Sequence, residues 1–126
     1  MISLIPPDCE KIRTAAAKDF EAGNYESASQ KLQPYVKPCA ETNSRDSTLR
    51  YKFYDGIATA DYTFGHASKG DKQKQAIAKQ AAVRYASEAQ NLWNHMSLSQ
   101  QGAVQRQAAD IEDISVGEYY YFKGMN

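Results

Sequence analysis

Residues 16–32 read Ala16-Ala17-Lys18-Asp19-Phe20-Glu21-Ala22-Gly23-Asn24-Tyr25-Glu26-Ser27-Ala28-Ser29-Gln30-Lys31-Leu32, and this stretch decides the fold. Its first half is rich in Ala, Lys and Glu, all good helix formers. Ile12, Ala16, Ala17 and Phe20 recur at helical spacing. Gly23 stands where a left-handed residue is wanted just past a helix end. Beyond it Tyr25, Ala28, Leu32, Tyr35 and Val36 mark one face of a second helix. The pattern is therefore a helical hairpin.

Working outward, Pro6 and Pro7 bar an earlier helix start, and Asp8 is a good N-cap. The first helix is expected over 8–22 and the second over 25–37. Pro34 should kink the second helix or loosen its last turn, and Pro38 should end it. Residues 41–44 read as a loop, with Asn43 or Ser44 capping a third helix over 45–65 and Gly65 as its stop. That helix carries two stripes. One is Leu49, Phe53, Gly56, Ile57, Ala60 and Phe64, and the other is Tyr51, Tyr54, Ala58 and Tyr62. A helix with two apolar faces belongs in the centre of a stack.

Asp71 caps a fourth helix reaching about residue 95, with Ile77, Ala81, Tyr85, Ala89, Leu92 and Met96 as its stripe. Ser97-Leu98-Ser99-Gln100 resembles a capping box. A fifth helix follows, with Val104, Ala108, Ile111 and Ser115 on one face, Ile114 and Val116 beside it, and Gly117 weakening it. The tail 118–126 is aromatic and could be extended, but a lone strand has no pairing partner. The expectation is an all-α single helical domain over 1–126, with about five antiparallel helices in a tetratricopeptide-like stack or a bundle.

The 126 residues suit one domain, and 42% hydrophobic with 24% charged is ordinary for a globular chain. Fifteen basic and fifteen acidic residues balance. That removes the electrostatic footprint of a nucleic-acid binder and of a polybasic membrane anchor. The basic run Lys69, Lys72, Lys74 and Lys79, with Arg84 beyond, reads as a solvated helix face. No apolar run approaches the roughly 20 residues of a membrane span. Ile2-Ser3-Leu4-Ile5 is too short for a signal-peptide core. The chain is thus either cytoplasmic or a mature form whose signal has been removed.

Ala16, Phe20, Gly23, Tyr25, Ala28 and Leu32 give the turn a Gly-x-Tyr-x-x-Ala pattern, which resembles the tetratricopeptide repeat. The resemblance covers residues 10–40. The third and fourth helices make a degenerate second unit, with Gly56 and Ala60 as small positions, a longer inter-helix loop, and the fifth helix as a cap. The large residue expected early in the first helix is only Ile12, and Pro38 falls ahead of its usual place. What the resemblance implies is a scaffold that binds a peptide or partner domain in a groove.

Cys9 and Cys39 lie equally far, 15 residues, from position 24 at the hairpin turn. In an antiparallel hairpin such positions face each other, so a disulfide is expected, subject to side-chain direction. Stable disulfides point to a periplasmic or secreted setting. A metal site is not expected, because only His66 and His95 could join the cysteines as zinc ligands. Both histidines read as helix C-terminal residues.

No cofactor is expected either, since the chain has no Gly-x-Ser-x-Gly, phosphate loop or Asp-x-Asp calcium loop. Asp110, Glu112 and Asp113 cluster without a context that would tune them for acid–base work. An enzyme is therefore not expected. Nine Tyr, four Phe and one Trp are many for this length, and exposed Tyr and Trp favour binding. The candidate binding residues are Tyr51, Tyr54, Tyr62, Asn91, Trp93, Tyr119, Tyr120, Tyr121 and Phe122. The expected function is a non-enzymatic protein- or peptide-binding adaptor. One alternative is a periplasmic inhibitor or immunity protein that plugs a single enzyme. Another is a small-molecule binder with a cavity lined by Phe53, Tyr85 and Trp93.

Overall fold

The computed structural model describes residues 8–41 and 47–107, with the side chains of 104–107 excepted. Its described part is all-α. The α-helices are α1 (Cys9–Glu21), α2 (Tyr25–Leu32), α3 (Ser47–Ala67), α4 (Lys72–Asn94) and α5 (Leu98–Gln107).

The first hairpin forms as its sequence dictates. The Asp8 carboxylate accepts the Lys11 N–H at 3.1 Å, satisfying a donor that the helix start leaves open. Gly23 takes φ +86°, and the N–H of Asn24 closes the turn on the Asp19 carbonyl at 2.8 Å. Asp19 accepts from Ser27 at 2.7 Å and pairs with Lys31 at 2.8 Å. Those two donors, Lys31 foremost, hold its carboxyl below the usual range. Phe20 and Tyr25 meet edge-on at 5.1 Å across the turn.

Pro34 changes the winding of the last turn as expected, whereas Pro38 does not end the helical coil. α2 stops at Leu32. The chain tightens into a 3-10 turn (Gln33–Tyr35) across Pro34, then widens into a π turn (Lys37–Glu41) that carries Pro38 instead of ending there. A proline has no N–H to donate and its ring crowds the preceding turn, so regular α geometry breaks while the chain keeps coiling. The π turn buries Cys39 and Ala40. Arg50 of α3 ties it down, its Nε donating to the Ala40 carbonyl. Cys9 and Cys39 are joined in a disulfide with Cα atoms 5.7 Å apart.

α3 is the central helix. It packs on α1, α2, the π turn, α4 and α5, and every residue from 51 to 61 is buried. Its charged groups meet partners at the interfaces. Lys52 approaches Glu10 of α1 at 3.8 Å, and Glu10 also pairs with Arg13 at 3.0 Å. Asp61 accepts the Ser29 hydroxyl of α2. Its other oxygen has no hydrogen-bond partner among the described residues, and burial pushes its carboxyl up to about 6.

Two expectations need correction along α3 and α4. Gly65 is not the stop of α3, which runs on to Ala67. It is a close-approach point instead. A Cβ built there would lie 3.4 Å from the Ala78 Cβ and 3.6 Å from the Gln75 carbonyl. The core stripe of α4 is also rotated by one residue in its first half. Ala78, Ala82, Tyr85, Ala86 and Ala89 are buried, whereas Ile77 is 61% exposed. Where helices touch through glycine, only alanine fits the seam, and the bulkier isoleucine is turned outward.

Asp71 caps α4, accepting from the Lys74 N–H at 3.1 Å. The capping box at α5 is reciprocal. Ser97 Oγ accepts the Gln100 N–H at 3.1 Å, and Gln100 Oε1 accepts the Ser97 N–H at 3.0 Å. The expected caps Asn43 and Ser44 lie outside the described residues. So do the later positions of the fifth helix's stripe, Ala108, Ile111 and Ser115, and the acidic cluster Asp110, Glu112 and Asp113. No described helix is long and apolar enough to cross a membrane.

Candidate functional site

The helical hairpin α3–α4 has a cleft at its connecting end, about 370 Å³ in volume. It is lined by Tyr62, Gly65 and His66 of α3 and by Lys72, Gln75, Ala76 and Lys79 of α4. The two sets follow from helix periodicity. Tyr62 and His66 are one turn apart, and Lys72, Gln75, Ala76 and Lys79 share a face at offsets of three, four and seven. Gly65 opens the floor by having no side chain. The Gln75 amide donates to the Gly65 carbonyl at 3.0 Å and fixes one wall.

Tyr62 and His66 form an edge-on pair with ring centroids 4.7 Å apart. The Tyr62 hydroxyl and His66 Nε2 are 2.8 Å apart, in hydrogen-bond contact. On the other wall, Lys72 and Lys79 have no anionic partner among the described residues. The neighbouring Lys74 is directed elsewhere, toward Glu26 of α2 at 3.9 Å. Asp71 turns its carboxylate to the α4 backbone. Two exposed positive charges thus stand beside an aromatic wall.

The residues singled out from the sequence do not converge. Tyr51 and Tyr54 are core residues, 2% and 3% exposed, and not the groove anchors expected of them. The Tyr51 ring lies 5.4 Å from that of the half-buried Trp93, and Tyr54 stacks on Tyr85 at 6.2 Å. Burial, with Asp55 nearby, raises the Tyr51 phenol far above its ordinary value. Burial also raises the Tyr54 phenol, helped by Glu88 and Glu41. Asn91 is exposed on α4, and its backbone carbonyl accepts from His95 Nδ1 at 2.7 Å.

Of the candidates among the described residues, Tyr62 alone lines the cleft. Eleven residues of helix separate it from Tyr51, about 16 Å along the axis. Tyr119, Tyr120, Tyr121 and Phe122 lie outside the described residues. Phe53 is fully buried. Tyr85 is buried too, and its hydroxyl exchanges hydrogen bonds with the Gln33 amide at 2.8 and 3.2 Å, so both side chains serve packing. A smaller polar recess of about 210 Å³ is lined by Glu41, Tyr54, Arg84, Tyr85 and Glu88, but there Arg84 already meets Glu41 at 3.8 Å.

Sequence reasoning misses His66, Gln75, Lys72 and Lys79 as site residues. The signal available is the i, i+4 pair at the end of one helix followed by the i, i+3, i+7 set at the start of the next. No cluster of three or more His, Cys, Asp or Glu among the described residues could hold a metal ion. The chain matches no protein-family model, no curated protein and no solved structure. Its functional reading therefore rests on this geometry.

Proposed function

We propose that this protein is a non-enzymatic protein-binding module, an adaptor of tetratricopeptide-like type, and that it engages its partner through the α3–α4 cleft. The observation that carries this reading is the cleft itself. A tyrosine–histidine pair and two lysines without anionic partners among the described residues line one recess between two packed helices. Binding sites are typically concave, with an apolar wall and a few convergent polar groups, and tyrosine is a favoured anchor at protein interfaces. The Cys9–Cys39 bridge supports a working place in an oxidising compartment, periplasmic or secreted.

The test is affinity capture from an extract of the source organism with the oxidised protein, run beside a Tyr62→Ala, Lys79→Glu variant. A stoichiometric partner that the variant loses is the expected result. A partner kept by the variant would remove the cleft from the reading. No enrichment over a control protein would overturn the adaptor function.

A further inference from the structure

The arrangement of the α4 lysines says what chemistry the cleft takes. Lys72 and Lys79 are seven residues apart, about 10.5 Å along the helix and nearly in line, since two turns take 7.2 residues. Both border the recess, one at each end of the α4 wall. Ala76 lies between them and, with its short side chain, leaves room for a ligand group. Facing it across the cleft are the Tyr62 ring and the Tyr62–His66 polar pair.

We infer that the cleft is the receptor for a carboxylate on an acidic segment of a partner protein. The carboxylate sits between Lys72 and Lys79, and the carbon chain that carries it lies against the Tyr62 ring. A carboxylate fits better than a phosphate. Phosphate sites on a helix commonly add the open backbone N–H groups of its N-terminus to their cations. Here the Asp71 carboxylate already takes the N–H of Lys74 at the head of α4. A volume of about 370 Å³ stands at the small end of ligand sites, roughly 300–1,000 Å³, which suits one or two side chains and not a folded element. This assignment rests on the adaptor reading above and names the partner's chemistry.

The experiment is a ¹H–¹⁵N NMR titration of the oxidised full chain with three probes. They are a blocked hexapeptide rich in Glu, the same peptide with Gln in place of Glu, and inorganic phosphate. The expected result is saturable shifts confined to residues 62–66 and 72–79 with the Glu peptide. The Gln peptide should bind about tenfold more weakly, and Lys72→Gln with Lys79→Gln should weaken the Glu peptide by about the same factor. Equal binding of the Glu and Gln peptides, shifts centred elsewhere, or phosphate binding as tightly as the Glu peptide would each overturn the inference. The two readings fail separately. If the Glu peptide binds here but extract capture yields no partner, the adaptor function falls and the carboxylate site stands. If a partner is captured and kept by the double lysine variant, while the Glu peptide does not bind, the site falls and the adaptor function stands.

Discussion

Cutting the Cys9–Cys39 bridge should lower the stability of this domain by an amount that loop length sets. The two cysteines are 30 residues apart, and the chain-entropy relation for a loop of that size gives roughly 3.6 kcal/mol at 25 °C. For a chain of 126 residues, an unfolding entropy near 2.1 cal/mol/K per residue turns this into a fall in Tm of roughly 10–15 °C. Replacing both cysteines by alanine also removes sulfur atoms from the core, where Cys39 is fully buried, and adds about 1 kcal/mol. The assay is thermal melting followed by far-ultraviolet circular dichroism on three samples: oxidised, dithiothreitol-reduced, and Cys9→Ala with Cys39→Ala. The reduced protein and the double variant should melt within a few degrees of each other, far below the oxidised protein. Their urea m-values should rise, because an uncrosslinked unfolded chain exposes more surface. A fall in Tm under about 4 °C on reduction would refute the reasoning, since the bridge would then not be restricting the unfolded ensemble.

Three further outcomes follow from the packing of α3 and α4. Burial holds the Asp61 carboxyl up at about 6 against about 3.9 in an unfolded chain, so its neutral form favours folding. That contribution is complete below pH 4, is lost between about pH 4 and 6, and amounts to at most roughly 3 kcal/mol; Asp61→Asn should flatten this window in pH-resolved urea melts. Gly65→Ala should be neutral or stabilising by up to about 1 kcal/mol, because the added Cβ meets Ala78 at 3.4 Å, an ordinary contact, and alanine is the better helix former. Gly65→Leu should cost roughly 1–3 kcal/mol by overpacking the same seam, as chemical denaturation would show. Ile77→Lys should change stability by less than about 0.5 kcal/mol, whereas Ala78→Lys, placing a charge where the residue is 4% exposed, should cost several times as much; equal effects in a thermal-shift comparison would contradict the register of α4.

The first hairpin is legible in the sequence because its signals are local. Gly23 and the Asp8 cap each act within a few residues, as does the Ser97–Gln100 capping box at the start of α5, and each forms as its residues dictate. The disulfide is legible as well, since symmetry about the turn at position 24 places Cys9 opposite Cys39. The prolines are harder to read, because losing one N–H can end a helix or merely change its winding, and Arg50 reaching the Ala40 carbonyl belongs to a distant helix. The register of α4 shows only in its packing on α3, where Ala78 lies against Gly65, a tertiary contact that periodicity along α4 cannot contain. Counting aromatics picks out Tyr51 and Tyr54 as readily as Tyr62, yet burial separates them. The cleft residues escape notice because His66, Lys72 and Lys79 gain meaning only when two helices bring them to one recess.

The position of α3 has a consequence for how the molecule fails. In an array of repeats each unit leans only on its neighbours, so an end can melt while the middle persists. Here α1, α2, the π turn, α4 and α5 all lean on one helix. Without α3, the packed hairpin of α1 and α2 and the Cys9–Cys39 bridge to the π turn would remain, and α4 would keep only side-chain contacts such as Lys74–Glu26 and Arg84–Glu41. Damage to any interface of α3 is therefore felt by all the others, and the domain should melt in one step. The same wiring concentrates inheritance: α3 is where substitutions are least tolerated, while the exposed positions of α1 and α4 away from the cleft are free to drift.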